Sequence, residues 1–208
     1  SRGTILRRGL LPPGWESVEA TVAIQAWAYV PPPAAILARG VHAITASIRR
    51  DPTSPLASIK TTSRADYVYA KLEAERAAVD DALFLTTDGR ISEGTTANVW
   101  AIVGERLLTP PPTAAILAGT TRGWLLEHAA APGAALIASL VAQESDLWPD
   151  DLAAADEAFL SSSVAGIVPL TAFEGRPIGS GEPGERTLAL RTARERWIDE
   201  RSLVVAVR

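Results

Sequence analysis

Three short strand-like segments separated by tight turns constrain the fold of this chain more than any other feature. Residues 81–87 (DALFLTT) and 98–103 (NVWAIV) are rich in apolar, β-branched and aromatic side chains, as strands are. Asp88-Gly89 is a typical hairpin turn, and Gly104-Glu105 turns the chain into a third segment, residues 106–109. Because short turns join consecutive strands into hairpins, the sequence predicts a meander here.

Helical patterns flank the meander on both sides. Residues 67–78 (YVYAKLEAERAA) consist of good helix formers, and Thr120 or Thr121 would cap a helix that runs to about Ala131. The remaining predicted elements are a short helix at 149–155, strands at 157–160 and 167–173, and a last helix at 185–200. Hairpin strands mixed with separate helices indicate an α+β fold and argue against a doubly wound parallel sheet.

A proline-rich turn divides the chain into two predicted parts. Residues 51–57 contain the run DPTSP, which is typical of a linker between domains. Before it, residues 1–50 would hold the remainder of a small N-terminal α/β domain, with strands at 18–29 and 41–48. After it, residues 58–208 would form a large C-terminal domain that carries the candidate site.

The composition excludes several kinds of site and partner. The chain has no cysteine, which rules out disulfides, thiolate metal sites and a cysteine nucleophile. Its two histidines, His42 and His128, lie far apart without zinc-site spacing, so we expect no metal. A net charge of −4 and a pI near 5.3 argue against nucleic acid as a partner. No apolar run approaches the ~20 residues that span a membrane, and no signal peptide is visible, so a cytoplasmic protein is expected.

Lys60 is the first candidate site residue. It ends the short apolar stretch that begins at Leu56. In the purely structural interpretation, a lysine in such a place is a solvated surface residue, as most lysines are. A lysine that acts as a nucleophilic amine must be partly desolvated so that its pKa falls. The position of Lys60 is compatible with this role. Its rival Lys71 lies in the middle of a predicted helix beside Glu73 and Glu75, which is typical of a solvated ion-pair partner.

Glu93 is the second candidate, within the segment ISEGTTAN at 91–98. In a purely structural interpretation it is a turn residue, with Gly94 supplying an unusual backbone angle. In a functional one it is a buried carboxylate that keeps a ligand's ring nitrogen protonated. The hydroxyls and the amide that surround it in this segment could satisfy the hydrogen bonds of such a carboxylate.

The third candidate is a pair of anion-binding segments. Gly119-Thr120-Thr121-Arg122 opens a predicted helix, and a helix N-terminus offers free N–H groups and the positive end of its dipole to a phosphate. The alternative is ordinary capping by threonine. Ser161-Ser162-Ser163 follows a predicted strand and offers further hydroxyls and amides, although three serines usually mark only a loop.

Two other motif matches carry no site. Gly179 to Gly184 (GSGEPG) matches the pattern GxGxxG, but no βαβ unit surrounds it, so a dinucleotide site is rejected. A Ser/His/Asp triad is rejected as well, because the chain contains no GxSxG nucleophile elbow.

Lys60, Glu93 and the Thr120-Thr121 helix start are the pieces that a protein needs to hold pyridoxal phosphate. They supply an amine for its aldehyde, an anion for its ring nitrogen and donors for its phosphate. The segment from Ile59 to about Arg186 also resembles the class IV, fold-type IV pyridoxal-phosphate enzymes. These include branched-chain and D-amino-acid aminotransferases, (R)-selective amine transaminases and 4-amino-4-deoxychorismate lyases. The matching stretches, in the family's order, are IKTTSRADYVYAKLEAERA, DDALFLTTDGRISEGTTANVWAIV, LLTPPPTAAILAGTTR, DEAFLSSSVAGIVPL and EGRPIGSGEPG.

The resemblance implies a role for each candidate residue. Lys60 would bond to the cofactor and move the substrate proton, and Glu93 would pair with the ring nitrogen. The phosphate would be bound by the Thr120 and Thr121 amides, the Thr121 hydroxyl, Ser163 and the Val164 amide. Arg64 would lie near the cofactor or the substrate carboxylate, while Arg122 would brace its helix. A homodimer of the D-amino-acid-aminotransferase-like fold is implied, with two domains of which the N-terminal one is incomplete here.

Three functions remain open at this point. One is an aminotransferase that moves an amino group between a branched-chain amino acid, D-amino acid or amine and a 2-keto acid. Another is 4-amino-4-deoxychorismate lyase, which releases pyruvate and 4-aminobenzoate, because Lys60-Thr61-Thr62-Ser63-Arg64 is similar to the lysine-x-x-Asn-Arg run of those lyases. The third is a non-catalytic truncated fragment, since the family's phosphate-binding arginine belongs to the N-terminal part that is missing here.

Overall fold

The computed structural model describes residues 21–129 and 140–205. The chain divides into two compact units between Val30 and Pro31. In the first unit, the described residues 21–30 are exposed and form no regular secondary structure. The second unit contains the following elements: α1 (Ala34–Arg39), β1 (Val41–Arg50), α2 (Ala65–Arg76), β2 (Asp81–Thr86), β3 (Ile91–Gly94), β4 (Asn98–Val103), β5 (Arg106–Thr109), a 3₁₀ turn (Pro112–Ala114), α3 (Thr120–Ala129), β6 (Val141–Glu144), α4 (Pro149–Ala153), β7 (Glu157–Ser162), β8 (Gly166–Phe173), β9 (Arg176–Pro177) and α5 (Glu185–Val205).

The strands of the described residues form one sheet in the order β3-β2-β1-β8-β7-β4-β5-β6, with β9 paired to β8. β3 also pairs with β4, so the strands from β3 to β4 along this path form a closed ring. β1 runs parallel to both of its neighbours, β2 and β8, and β5 runs parallel to β6. The other pairs are antiparallel, including the meander from β2 to β5.

Both faces of the ring are buried, and alternate residues along each strand belong to different apolar clusters. On β2, Leu83 and Leu85 join the largest cluster, while Ala82 and Phe84 pack with Ala70 of α2. On β4 and β7 the alternate residues, among them Trp100 and Phe159, pack with Trp124 of α3 and Leu190 of α5. Since successive side chains of a strand point to opposite faces, a strand with two covered faces is apolar throughout.

The α+β architecture is confirmed, and most of the predicted elements after residue 65 lie within a few residues of their expected positions. The predicted strand at 18–29 is wrong over 21–29, because β-rich composition makes a strand only where a partner strand is available to pair with it. Its first residues, 18–20, and the last residues of the predicted 120–131 helix lie outside the described residues. β3, β6, β9 and α1 were not predicted.

The division of the chain also differs from the predicted boundary at residues 51–57. β1, which the sequence assigned to an N-terminal domain, lies between β2 and β8 in the ring. The turn after it, which begins at Asp51, therefore connects elements of one unit. Proline-rich turns mark loops, but they carry no information on whether the strands beside them pair with each other. None of the described helices has the length and apolar character to cross a membrane.

Candidate active site

Glu93 on β3 is a buried carboxylate that receives hydrogen bonds from two other segments. The residue is 4% exposed. The Tyr67 hydroxyl of α2 donates to Glu93 Oε1 at 2.7 Å, and the Leu117 backbone N–H, ahead of α3, donates to Oε2 at 2.9 Å. Each carboxylate oxygen therefore has a donor, as a buried acid requires.

Arg50, at the end of β1, is a second buried charge beside Glu93. Its Nη2 lies 3.5 Å from Glu93 Oε1, and its Nη1 donates to the Tyr67 hydroxyl oxygen. The rest of the guanidinium donates to the backbone carbonyls of Ala57 (2.8 Å) and Ala115 (3.0 Å). Neither Arg50 nor Tyr67 was among the site residues predicted from the sequence. In the sequence, a buried arginine at the end of a strand cannot be told from a surface arginine. Its contacts with residues far along the chain distinguish it, and these are seen only in the structure.

The proton affinities of this cluster follow from burial and from these contacts. Burial raises the pKa of Glu93, and the Leu117 N–H, the Tyr67 hydroxyl, Arg50 and Arg64 oppose that rise without cancelling it. Burial and the negative charge of Glu93 also raise the pKa of Tyr67, so its hydroxyl keeps its proton at any physiological pH. The cluster is thus a carboxylate held by a neutral phenol and flanked by guanidinium groups.

Lys60 lies in an exposed loop whose two ends are tied to this cluster. Three residues before it, the Ala57 carbonyl accepts from Arg50. Four residues after it, Arg64 Nη2 donates to the Thr95 carbonyl at 3.0 Å, next to β3. The amine therefore sits on a short segment anchored on both sides beside the strand of Glu93. Lys71, the rival lysine, is instead bound on α2, where its Nζ donates to the Asp80 carbonyl and lies 3.9 Å from Asp81 Oδ1.

The start of α3 and the end of β7 meet through Thr121. The buried Thr121 hydroxyl donates to the Ser162 carbonyl at 2.9 Å and accepts from Arg194 Nη2 of α5 at 2.9 Å. Thr120, Ser163 and Val164 are exposed around this junction. The two predicted anion-binding segments are therefore neighbours, with the first residue of α3 and the turn after β7 open to solvent.

Arg122 points away from this junction. Its buried guanidinium donates to the Pro110 carbonyl at 2.8 Å and to Glu144 Oε1 at 2.6 Å. It connects α3 to the strands β5 and β6.

A cavity of about 300 Å³ opens near one end of the ring of strands. Ile36, Lys71, Asp81, Thr96 and Ser162 are among its lining residues, whereas Lys60 and Glu93 are not. Its position is next to the candidate site but separate from the carboxylate and the amine.

Taken together, these segments offer an exposed primary amine, a buried carboxylate held by donors, and an exposed helix start facing a serine turn. This donor set fits a ligand with an electrophilic carbonyl, a basic ring nitrogen and a phosphate. The contacts of Ala57 with Arg50 and of Leu117 with Glu93 connect the Lys60 loop and the segment before α3 to the Glu93 cluster.

Comparison with known proteins gives the family. The model of the amino-transferase class IV family matches residues 4–173. A putative branched-chain-amino-acid aminotransferase of Methanocaldococcus jannaschii is 34% identical over 163 residues, which are 78% of this chain and 54% of that protein. The aminodeoxychorismate lyase of Bacillus subtilis is 34% identical over 144 residues, 69% of this chain and 47% of that protein. The chain thus spans about half the length of these relatives.

Solved structures agree with the sequence comparison. The branched-chain amino acid aminotransferase of Thermobaculum terrenum, solved in its PLP form, superposes with a TM-score of 0.69 at 29% identity, covering 76% of this chain and 51% of that one. The fold predicted from the resemblance is therefore confirmed. Because the family model matches most of this chain, the chain belongs to the amino-transferase class IV family.

Proposed function

We propose that this chain is the cofactor-binding part of a pyridoxal-phosphate-dependent aminotransferase. Its reaction would transfer an amino group between an amino acid, either branched-chain or D-configured, or an amine, and a 2-keto acid. The observation that carries the proposal is Glu93: a carboxylate buried by the fold, with a donor on each oxygen and an arginine beside it. The bound cofactor supplies an electron sink for the electrons released when a bond at the substrate Cα breaks.

Each residue contributes a separate function in this proposal. Glu93 accepts from the protonated ring nitrogen and keeps that proton in place. Lys60 would hold the cofactor through its amine and would carry the proton taken from the substrate Cα. Arg64, which donates to the Thr95 carbonyl, would add positive charge near the cofactor or the substrate carboxylate.

The phosphate would be bound where α3 begins. The Thr120 and Thr121 N–H groups lie in the first turn of that helix, where backbone donors have no partner within the helix. Ser163 and the Val164 N–H would complete the site from the turn after β7. The Thr121 hydroxyl donates its one proton to the Ser162 carbonyl and accepts from Arg194. We therefore assign the hydroxyl to holding that turn against α3, and the Thr121 N–H to the phosphate.

A trapping experiment tests the cofactor assignment. It can be decisive because the sequence contains only two lysines, Lys60 and Lys71. Purified protein is mixed with pyridoxal phosphate, reduced with borohydride and digested, and the modified lysine is found by mass spectrometry. We expect the label on Lys60. Lys60→Ala should lose the label and the cofactor absorbance, with a change in the free energy of unfolding of at most about 0.5 kcal/mol, because the side chain is exposed.

Lys71→Ala is the matched control and should keep both the Lys60 label and the absorbance. Labelling of Lys71 in place of Lys60, or equal labelling of both, contradicts the assignment. Absence of any specific label in folded protein favours the alternative of a non-catalytic fragment.

The lyase is the second candidate function. The run from Lys60 to Arg64 is similar to that of the lyases, and the relative from Bacillus subtilis carries that name. Both activities need the same cofactor contacts, so an assay must separate them. Release of pyruvate from aminodeoxychorismate without an added keto acid supports the lyase. Formation of pyridoxamine phosphate from D-alanine or a branched-chain amino acid supports the aminotransferase.

We further propose that the protein is a homodimer and acts in the cytoplasm. Exposed apolar side chains of α2 and of the loop before it, Leu56, Ile59, Val68 and Leu72, lie beside the Lys60 segment and support a partner surface there. Light scattering of the purified protein and imaging of a tagged protein in cells would test the two statements.

A further inference from the structure

We propose that Tyr67 is a positioning residue: its hydroxyl, fixed by Arg50, orients Glu93 and holds it in the carboxylate form. The inference rests on the proposed function, in which Glu93 faces the cofactor's ring nitrogen. It concerns a side chain that neither the sequence motifs nor the comparisons assign to the site.

The direction of each hydrogen bond follows from the donors available. A guanidinium has donors only, so Arg50 Nη1 must donate to the Tyr67 oxygen. The single proton of the Tyr67 hydroxyl is then free to point to Glu93 Oε1, 2.7 Å away. The Leu117 N–H, also a donor only, faces Oε2 at 2.9 Å. Protonation of Glu93 would place a hydrogen on an oxygen that already faces a donor, so the network favours the ionised form.

The Tyr67 ring is held as firmly as its hydroxyl. The Arg64 guanidinium carbon lies 3.8 Å from the ring centroid, within the range of cation–π contacts. On another side, the Phe84 ring meets it edge-on with the centroids 5.1 Å apart. The phenol therefore cannot swing away from Glu93 without losing both contacts.

The charges around Glu93 come from two elements, β1 and α2. Arg50 at the end of β1 and Arg64 at the start of α2 are positive. Asp66 of α2, a half-buried negative group 3.6 Å from Arg50 Nη1, offsets part of the charge of Arg50. Burial raises the pKa of Glu93 by more than these positive charges and hydrogen bonds lower it, so the pKa stays above its ordinary value. Any donor that is lost therefore moves Glu93 further toward the neutral form, in which it cannot stabilise a protonated ring nitrogen.

The test follows the ionisation of Glu93 directly and needs no cofactor. The side-chain carboxyl carbons of glutamate are labelled with ¹³C, the Glu93 signal is identified by its loss in Glu93→Gln, and its shift is titrated against pH. Tyr67→Phe keeps the ring and removes the hydroxyl. We expect the midpoint of Glu93 to rise by about one pH unit, the effect of losing one hydrogen bond to a charged group.

Tyr69→Phe is the matched control, because Tyr69 is exposed on the same helix. It should leave the Glu93 midpoint unchanged. An unchanged midpoint in folded Tyr67→Phe would overturn the inference, and so would an equal rise in both variants.

A second variant keeps the test valid if Tyr67→Phe fails to fold. Replacing Tyr67 with 3-fluorotyrosine preserves its shape and makes the hydroxyl a stronger donor, so the Glu93 midpoint should fall. A midpoint that stays or rises overturns the inference. The result of this titration is independent of the test of the proposed function. A chain that binds no pyridoxal phosphate contradicts the cofactor assignment. The titration of Glu93, which needs no cofactor, still decides the role of Tyr67.

Discussion

The backbone of Leu117, three residues before α3, forms hydrogen bonds with the side chains of both Asn98 and Glu93. The Asn98 Nδ2 donates to the Leu117 carbonyl at 2.8 Å, and the Leu117 N–H donates to Glu93. Two residues later, the backbone of Gly119 passes so close to Asn98 that a Cβ there would lie 2.3 Å from Oδ1. Glycine at this position thus allows the hydrogen bonds that place the Thr120 helix start beside Glu93.

Gly119→Ala should weaken the site by forcing Asn98 to move. We expect the free energy of unfolding to fall by roughly 1–3 kcal/mol, the usual cost of overpacking, and the affinity for pyridoxal phosphate to fall at least about tenfold, equivalent to ~1.4 kcal/mol. Urea unfolding and absorbance titration with the cofactor measure the two effects.

Gly123→Ala provides the control on the same helix, because a Cβ at Gly123 meets nothing within 4 Å. It should leave cofactor affinity unchanged and stabilise the helix slightly. Equal effects of the two substitutions would contradict the role given to the contact between Gly119 and Asn98.

At the scale of elements, α5 is anchored to the ring by the carboxylate of Glu157 at the start of β7. Glu157 accepts from the Thr187 N–H and hydroxyl, both at 2.8 Å, and from the Arg186 N–H and Nε at 3.2 and 3.1 Å. Burial by itself raises the pKa of Glu157, but the hydrogen bonds from Thr187 and Arg186 outweigh it and leave the pKa below its usual range. An acid at a helix N-terminus also interacts favourably with the helix dipole.

Glu157→Gln should therefore destabilise the protein in a pH-dependent way. Because the folded pKa is lowered, the stabilisation is complete above the unfolded value of about 4.3 and is lost as the pH falls through the folded pKa. We expect a loss of roughly 1–2 kcal/mol at pH 7, allowing for solvent screening, and a vanishing difference in strong acid. Urea unfolding at several pH values measures it.

The control for this substitution is Glu185→Gln, because Glu185 is exposed in the first turn of α5. It should change stability by no more than about 0.5 kcal/mol at either pH. A Glu157→Gln deficit that is independent of pH would show that the carboxylate charge is not what anchors the helix.

At the scale of the whole molecule, the closed ring makes β1 indispensable. β1 pairs with β2 on one side and with β8 on the other, and its Val41, Ala43 and Ala46 are buried. It also ends at Arg50, which connects the ring to the candidate site. Removal of β1 would open the ring, expose two strand edges and leave Glu93 and Tyr67 without their arginine.

Two truncations distinguish the structural division from the one suggested by the sequence. A chain that starts at Pro31 should fold and unfold in one cooperative transition, because it retains every strand of the ring. A chain that starts at Asp51, at the predicted linker, lacks β1 and should not fold. Circular dichroism with urea titration compares them, and cooperative unfolding of the shorter chain would contradict the role of β1.

By itself, the sequence determined whatever depends on neighbours along the chain. Turn residues and apolar runs predicted the meander from β2 to β5, and helix formers predicted α2 and α5, because local conformation follows local side chains. Motif order selected Lys60, Glu93 and the Thr120–Thr121 helix start as candidates, and the family that those motifs resembled is the one to which the chain belongs.

Only the tertiary structure decided how these parts meet. Arg50 and Tyr67 join Glu93 from separate elements, so no spacing in the sequence marks them. The place of β1 between β2 and β8, and hence the boundary of the unit, depends on strand pairing between distant segments. Pairing and burial are properties of contacts across the fold, and the charge state of Glu93 depends on them in turn. For that reason the sequence could name the carboxylate, but the groups that hold it became visible only in three dimensions.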